Sequence, residues 1–169
     1  MIKAIITDVD GALTDGSIYC GYEGKAFKQF HVRDIPSIHR LQAKGYKVFA
    51  LTSAYDTITR KWLEYSKFDW FMMCQSKADW IDYSKLEKAK LMLDEWGIEL
   101  KETVYIGDDI MDIELMKACA LGICPEDSAL EVLEIADIVL PIKGGHGVMS
   151  YVYSMIDHIE EFTYEGKNR

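Results

Sequence analysis

Apolar residues fall into short, nearly uninterrupted runs, and the segments between them carry apolar positions at helical spacing. The first run, Ile2, Ala4, Ile5 and Ile6, is followed by others at 46–51, 70–73, 103–106, 121–124 and 138–140. Runs without strict alternation suit strands covered on both faces, as in a parallel sheet with helices above and below. The intervening helices are expected over Asp34–Lys44, with Asp34 capping, Pro36 in the first turn and Gly45 as the stop. Others are expected over Asp56–Tyr65, from Lys85 to about Trp96 behind a Ser84 cap, near Ser128–Ile135, and from Val148 to about Phe162. Leu86, Ala89, Leu93 and Trp96 should face the core from one of these helices, and Val152, Met155, Ile156 and Ile159 from the last. Ser17–Cys20 and Ala26–Phe30 flank Gly21-Tyr22-Glu23-Gly24 and predict a β-hairpin, either a flap or an edge for a second subunit. Residues 74–83 read as irregular. The pattern predicts an α/β fold, a doubly wound, mainly parallel sheet in one domain over residues 1–169, with a hairpin at about 17–30 and a frayed tail from 163.

Two strand exits carry acids. The first strand runs into Thr7-Asp8-Val9-Asp10-Gly11, and 103–106 runs into Gly107-Asp108-Asp109, with Asp112 and Glu114 in the helix behind. In open α/β sheets ligands bind at the carboxyl edge of the strands, which is where these carboxylates stand. Helix capping accounts for one or two acids at such a position, not for four within eight residues. Converging carboxylates require a cation, and Mg²⁺ suits hard oxygen ligands while leaving coordination positions for phosphate and water. The strand at 46–51 exits into Thr52-Ser53, readable as a local turn or as phosphate-binding hydroxyls. Lys85 opens a helix at the same edge. If these groups meet, phosphoryl transfer follows: Asp8 as nucleophile, Asp10 as acid and base, Thr52 and Lys85 on phosphate oxygens, and Asp108 with Asp109 completing a metal shell.

Composition narrows the setting. A net charge of −9 argues against a nucleic-acid partner, which would want a basic face, and requires that any acidic phosphate ester meet a locally built positive site. Cys20, Cys74, Cys119 and Cys124 have no paired spacing, which points to reduced thiols and a cytoplasmic location. No run approaches a membrane span. His31, His39 and His158 show no metal-binding spacing.

The order DVDGxLT, a strand-end Thr, a helix-start Lys and GDDxxD resembles the haloacid dehalogenase superfamily of phosphatases. TDGSIY with its hairpin, FHVRD and the closing GGHG make the chain most similar to the capless 3-deoxy-D-manno-octulosonate 8-phosphate phosphatase subfamily. The resemblance implies a Rossmann-like fold without a large cap domain and Mg²⁺ dependence. It further implies a homotetramer in which one subunit's hairpin helps to cover a neighbour's site. It makes Asp8 the nucleophile, Asp10 the acid/base and a metal ligand through its carbonyl, Thr52 and Lys85 phosphate binders, and Asp108 a metal ligand. The substrate implied is a small phosphorylated sugar or sugar acid, an octulosonate 8-phosphate or a nonulosonate 9-phosphate.

The chain departs from the subfamily where the substrate's distal end would sit. Ile35-Pro36-Ser37 follows Arg33-Asp34 in place of Gly-x-Gly, and Ser53-Ala54 follows Thr52 in place of Gly-Arg. His146 stands at an arginine position of the glycine loop, and Val148 and Ser150 replace its Ala and its second arginine. Ser53, Arg33 and His146 are therefore expected to contact the substrate. Two readings of other classes compete: a non-hydrolytic binding or regulatory module on the same fold, and a receiver-like phosphoacceptor. Against the second stands Asp10, because a stable phosphoacceptor gains nothing from an acid/base two positions past its nucleophile.

Overall fold

Ile5 and Ile6 point to opposite faces of the first strand, and each enters a different core. The computed structural model describes residues 1–22, 26–76, 78–79 and 84–166; Glu23, Gly24, Lys77, Trp80 and Asp82 of the expected hairpin and irregular segment lie outside them. The strands are β1 (Ala4–Thr7), β2 (Tyr19–Cys20), β3 (Ala26–Phe27), β4 (Lys47–Thr52), β5 (Trp70–Met73), β6 (Thr103–Ile106), β7 (Leu121–Pro125) and β8 (Ile138–Leu140). The helices are α1 (Asp34–Ala43), α2 (Thr57–Ser66), α3 (Lys85–Asp94), α4 (Ile113–Ala118), α5 (Leu130–Leu133) and α6 (Val148–Gly166).

Six strands form one parallel sheet in the order β5-β4-β1-β6-β7-β8. Ile5, Ile38, Leu41, Val152 and Ile156 pack beneath α1 and α6. On the other face, Ile6, Phe49, Met92, Leu93 and Leu115 pack beneath α3 and α4. From β1 the chain winds outward to β4 and β5, then returns to lay β6 against β1's other edge. The winding reverses between β1 and β6, and a ligand crevice opens at such a reversal. The sheet is the doubly wound one that the apolar runs predict.

Local differences from the sequence reading have physical causes. The β2–β3 hairpin is only two residues per strand, although Thr14 and Phe30 extend it by an isolated bridge. Trp96, expected in the core, lies beyond the end of α3 and remains 41% exposed while its ring tilts against Phe49. Helix α6 continues to Gly166, past the expected end at Phe162. All four cysteines are free thiols, and Cys20 is exposed. No helix among the described residues is long and apolar enough to cross a membrane.

Asp34 does not cap its own helix. It is the first residue of α1, fully buried, and its Oδ1 accepts the N–H groups of Met149 at 2.9 Å and Ser150 at 3.3 Å in the opening turn of α6. The carboxylate thus caps a helix more than a hundred residues away, and Oδ2 is buried without a hydrogen-bond partner. Burial raises its pKa from 3.8 to about 7 against the pull of those two N–H groups. A carboxyl whose folded pKa is raised contributes stability that is complete below its unfolded pKa and is lost as pH rises through about 7. Thermal melts at saturating Mg²⁺ should therefore show a decline in Tm between pH 5 and 8, and Asp34→Asn should flatten that decline.

Candidate active site

The chain after β1 leaves the sheet through a turn fixed at several points. The Asp8 N–H donates to Ile106 O at 2.8 Å, Thr14 N–H to Val9 O at 2.9 Å, and Gly145 N–H to Ala12 O at 3.0 Å. Gly11 sits at φ +92°, and a Cβ there would lie 1.9 Å from Asp108 Oδ2. Glycine is required by both the backbone conformation and the close approach of the neighbouring acid.

Asp8, Asp108 and Asp112 each place a carboxylate oxygen within 4.8 Å of the other two. Lys85 Nζ lies 2.8 Å from Asp8 Oδ1 and 2.5 Å from Asp112 Oδ1, and its side chain is only 3% exposed. Ser84 starts α3 by accepting the Glu87 N–H, and this places Lys85 at the helix's first position, facing inward.

Asp112 is saturated. Its Oδ1 accepts from Lys85 and from the Tyr105 hydroxyl at 2.5 Å, and its Oδ2 accepts the N–H groups of Asp108 at 2.9 Å and Asp109 at 3.0 Å. It shapes the loop after β6 and orients Lys85 rather than offering a free ligand atom. Asp108 differs: its Oδ1 is buried with no hydrogen-bond partner.

The electrostatics point the same way. With all three carboxylates ionised, the one ammonium would leave two negative charges, which a divalent cation would match. Burial first, and then the negative charges of Asp8 and Asp112, push the Asp108 carboxyl up to about 9. Burial also raises Asp8 to about 7, with Lys85 opposing and Asp112 adding to the rise. Burial would discharge Lys85, but Asp8 and Asp112 outweigh it and hold the ammonium well above the ordinary lysine value. The unpartnered oxygen, the oxygen-only donor set and the surplus charge fit a hard divalent ion held by Asp8 and Asp108.

The remaining expected residues are placed as follows. Thr52, 1% exposed, ends β4 beside β1; its Oγ1 accepts the Ala54 N–H at 3.0 Å, and Ser53 follows half-buried. Asp10 stands outside the three-acid cluster and is paired with Lys28 at 2.8 Å. Asp109 is not brought in: it is exposed, and its Oδ1 accepts the Ile110 N–H at 2.7 Å as a helical cap. Arg33 and His146 are both exposed and both near enough to His31 to depress its pKa, after burial. The His31 ring lies against Gly147, where an added Cβ would meet Nδ1 at 3.3 Å. A cavity of about 560 Å³ lined by Arg60, Trp70, Met72, Cys74 and Gln75 opens beside β5, and no member of the acid cluster lines it.

Sequence reasoning left Asp112, Tyr105 and Lys28 out of the site. Asp112 was visible as the last acid of GDDxxD, but helix-start acids usually serve the helix itself. Tyr105 lies in an apolar strand, and Lys28 directly follows an aromatic hairpin strand, where a lysine is ordinarily solvated, so no local pattern marks either.

A family model described as haloacid dehalogenase-like hydrolase matches residues 80–152. The 3-deoxy-D-manno-octulosonate 8-phosphate phosphatase KdsC of Haemophilus influenzae is 33% identical over 158 residues, spanning 92% of this chain and 82% of its own. The Escherichia coli K12 enzyme of the same name is 28% identical over 155 residues, 92% of this chain and 79% of its own. Among solved structures, the cobalt-bound deoxy-D-mannose-octulosonate 8-phosphate phosphatase of Haemophilus influenzae superposes with a TM-score of 0.82 at 31% identity. It covers 92% of this chain and 86% of that one.

Proposed function

Because the chain belongs to the haloacid dehalogenase-like hydrolases, in the subfamily of 3-deoxy-D-manno-octulosonate 8-phosphate phosphatases, we propose that it is a Mg²⁺-dependent phosphomonoesterase acting on a small phosphorylated sugar acid. The observation that carries this reading is the pairing of a buried, lysine-clamped Asp8 with an Asp108 oxygen that has no partner, at the point where the sheet's winding reverses.

Asp8 and Asp108 would hold the ion, with the main-chain carbonyl of Asp10. When bound, the cation supplies the positive charge that lets an anionic phosphate approach an anionic nucleophile. One Asp8 oxygen forms the new bond to phosphorus while the bond to the sugar oxygen breaks, and Asp10 gives that leaving oxygen its proton. Asp10 then takes a proton from water as the water oxygen attacks phosphorus, releasing inorganic phosphate and restoring the Asp8 carboxylate. Lys85, oriented by Asp112, and Thr52 would neutralise and bind phosphoryl oxygens.

The substrate class rests on the names of the relatives, and the altered positions around Pro36, Ser53 and His146 favour testing a nonulosonate 9-phosphate beside the octulosonate ester. Arg33 and His146, gathered near His31, are the candidates for a distal carboxylate. A cytoplasmic enzyme acting as one domain, assembled as a homotetramer, is consistent with the free thiols and with the exposed Ile18, Tyr19, Tyr22, Phe27 and Val32 on and beside the hairpin. Phosphate release from p-nitrophenyl phosphate and a sugar phosphate panel, with Mg²⁺, tests the reading. Turnover of at least one sugar acid phosphate is expected; no release from any ester would favour a binding module instead.

A further inference from the structure

Lys28 follows the second strand of the hairpin and is nearly sealed from solvent, its side chain 3% exposed. Its ammonium meets three groups: Asp10 at 2.8 Å from Oδ1 and 2.9 Å from Oδ2, Asp56 Oδ2 at 2.8 Å, and Thr59 Oγ1 at 2.9 Å. Burial would discharge this amine, but the two carboxylates outweigh it and raise the lysine above its ordinary value. The placement is built from both sides. Phe30, two residues on, stacks on Trp62 with centroids 4.2 Å apart. Thr59 and Trp62 are three residues apart on one face of α2, so the Lys28–Phe30 pair docks on the Thr59–Trp62 pair. Asp56, which also caps α2 by accepting the Thr59 N–H at 2.8 Å, holds the amine from the helix end.

The consequence falls on Asp10. Both its oxygens face one buried ammonium, Thr14 Oγ1 adds a longer contact at 3.4 Å, and the same Thr14 hydroxyl accepts the N–H groups of Gly11 and Gly16. The carboxyl plane is thereby fixed relative to the turn that carries Asp8. We infer that Lys28 is a positioning residue for the proton transfer made by Asp10, locking that carboxyl's orientation from the segment that follows the hairpin. The inference rests on the phosphatase reading above and adds to it a residue outside the DVD, Thr, Lys and GDD motifs.

A residue that serves only to hold the fold would lower activity on every ester alike. A residue that orients the proton donor matters in proportion to how badly the leaving oxygen needs a proton. The comparison is kcat/KM for p-nitrophenyl phosphate, whose leaving group departs readily as an anion, against kcat/KM for the best sugar phosphate, whose alkoxide does not. This ratio covers only the steps through leaving-group departure, so the shared hydrolysis of the acyl phosphate does not enter. Lys28→Met should lower kcat/KM on the sugar ester by about 10²-fold, and on the aryl ester by less than about threefold. Lys28→Arg should recover part of the loss on the sugar ester. Equal losses on both substrates overturn the inference. If Lys28→Met does not fold by circular dichroism, the double variant Asp10→Asn with Lys28→Met removes two of the three charges together. On the sugar ester it should match Asp10→Asn alone, and a further tenfold loss would overturn the inference. Wild-type protein inactive on all esters would instead sink the parent reading.

Discussion

Asp8→Asn is expected to lower phosphate release by at least about 10⁴-fold on every ester while leaving the fold intact. The amide fills the same volume but cannot form the bond to phosphorus, so no substrate with a better leaving group should rescue it. Lys85 keeps its contact to Asp112 at 2.5 Å, and Asp112 keeps the Tyr105 hydroxyl and two N–H groups, so the loop after β6 has no reason to rearrange. Substitution also removes a carboxyl that burial raises to about 7, and with it the repulsion that helps to push Asp108 up to about 9. The variant's melting temperature without added metal should therefore equal or exceed that of the wild type. Phosphate release and thermal melts on one preparation check both halves. Residual activity above about 1% of wild type would assign the nucleophile elsewhere.

The elements at the site were legible from the sequence to different degrees, for reasons that lie in range. The runs ending at Thr7 and Ile106 are short and apolar, and each delivers its acid one or two residues later, so strand order was the only missing fact. The structure supplies it by pairing β1 with β6, Thr7 opposite Ile106. Lys85 was legible because Ser84 marks the helix start and the apolar stripe fixes which way that helix faces. Asp109 shows the opposite case: it is as acidic as Asp108 and adjacent to it, and only backbone geometry turns it outward to cap the following turn. Asp34 and Lys28 were misread or missed because their partners lie on other elements, at Met149 and Ser150 for one and at Asp10, Asp56 and Thr59 for the other. A one-dimensional pattern reports the face a residue takes, whereas a buried charge is explained by whatever neutralises it across the fold.

Removing the divalent cation should abolish activity and also change how stability depends on pH. Without the cation, the Asp8 and Asp108 carboxyls are raised from 3.8 to about 7 and about 9. A raised carboxyl contributes stability that is present below its unfolded pKa, about 4, and is lost as pH climbs through the folded value. Chelated protein should therefore lose stability steadily from about pH 5 to 9. The cation requires both groups ionised, so its binding releases protons and tightens over the same interval. At a hundredfold excess over Kd it would add about 2.7 kcal/mol, roughly 5–10 °C in Tm for a chain of this size. The gap between melts with Mg²⁺ and with chelator should thus widen toward alkaline pH, and Asp108→Asn should close most of it. Lys85 stays charged throughout, so it cannot supply the pH dependence. A gap that stays constant with pH, or full activity in chelator, would remove the cation from between these two carboxylates.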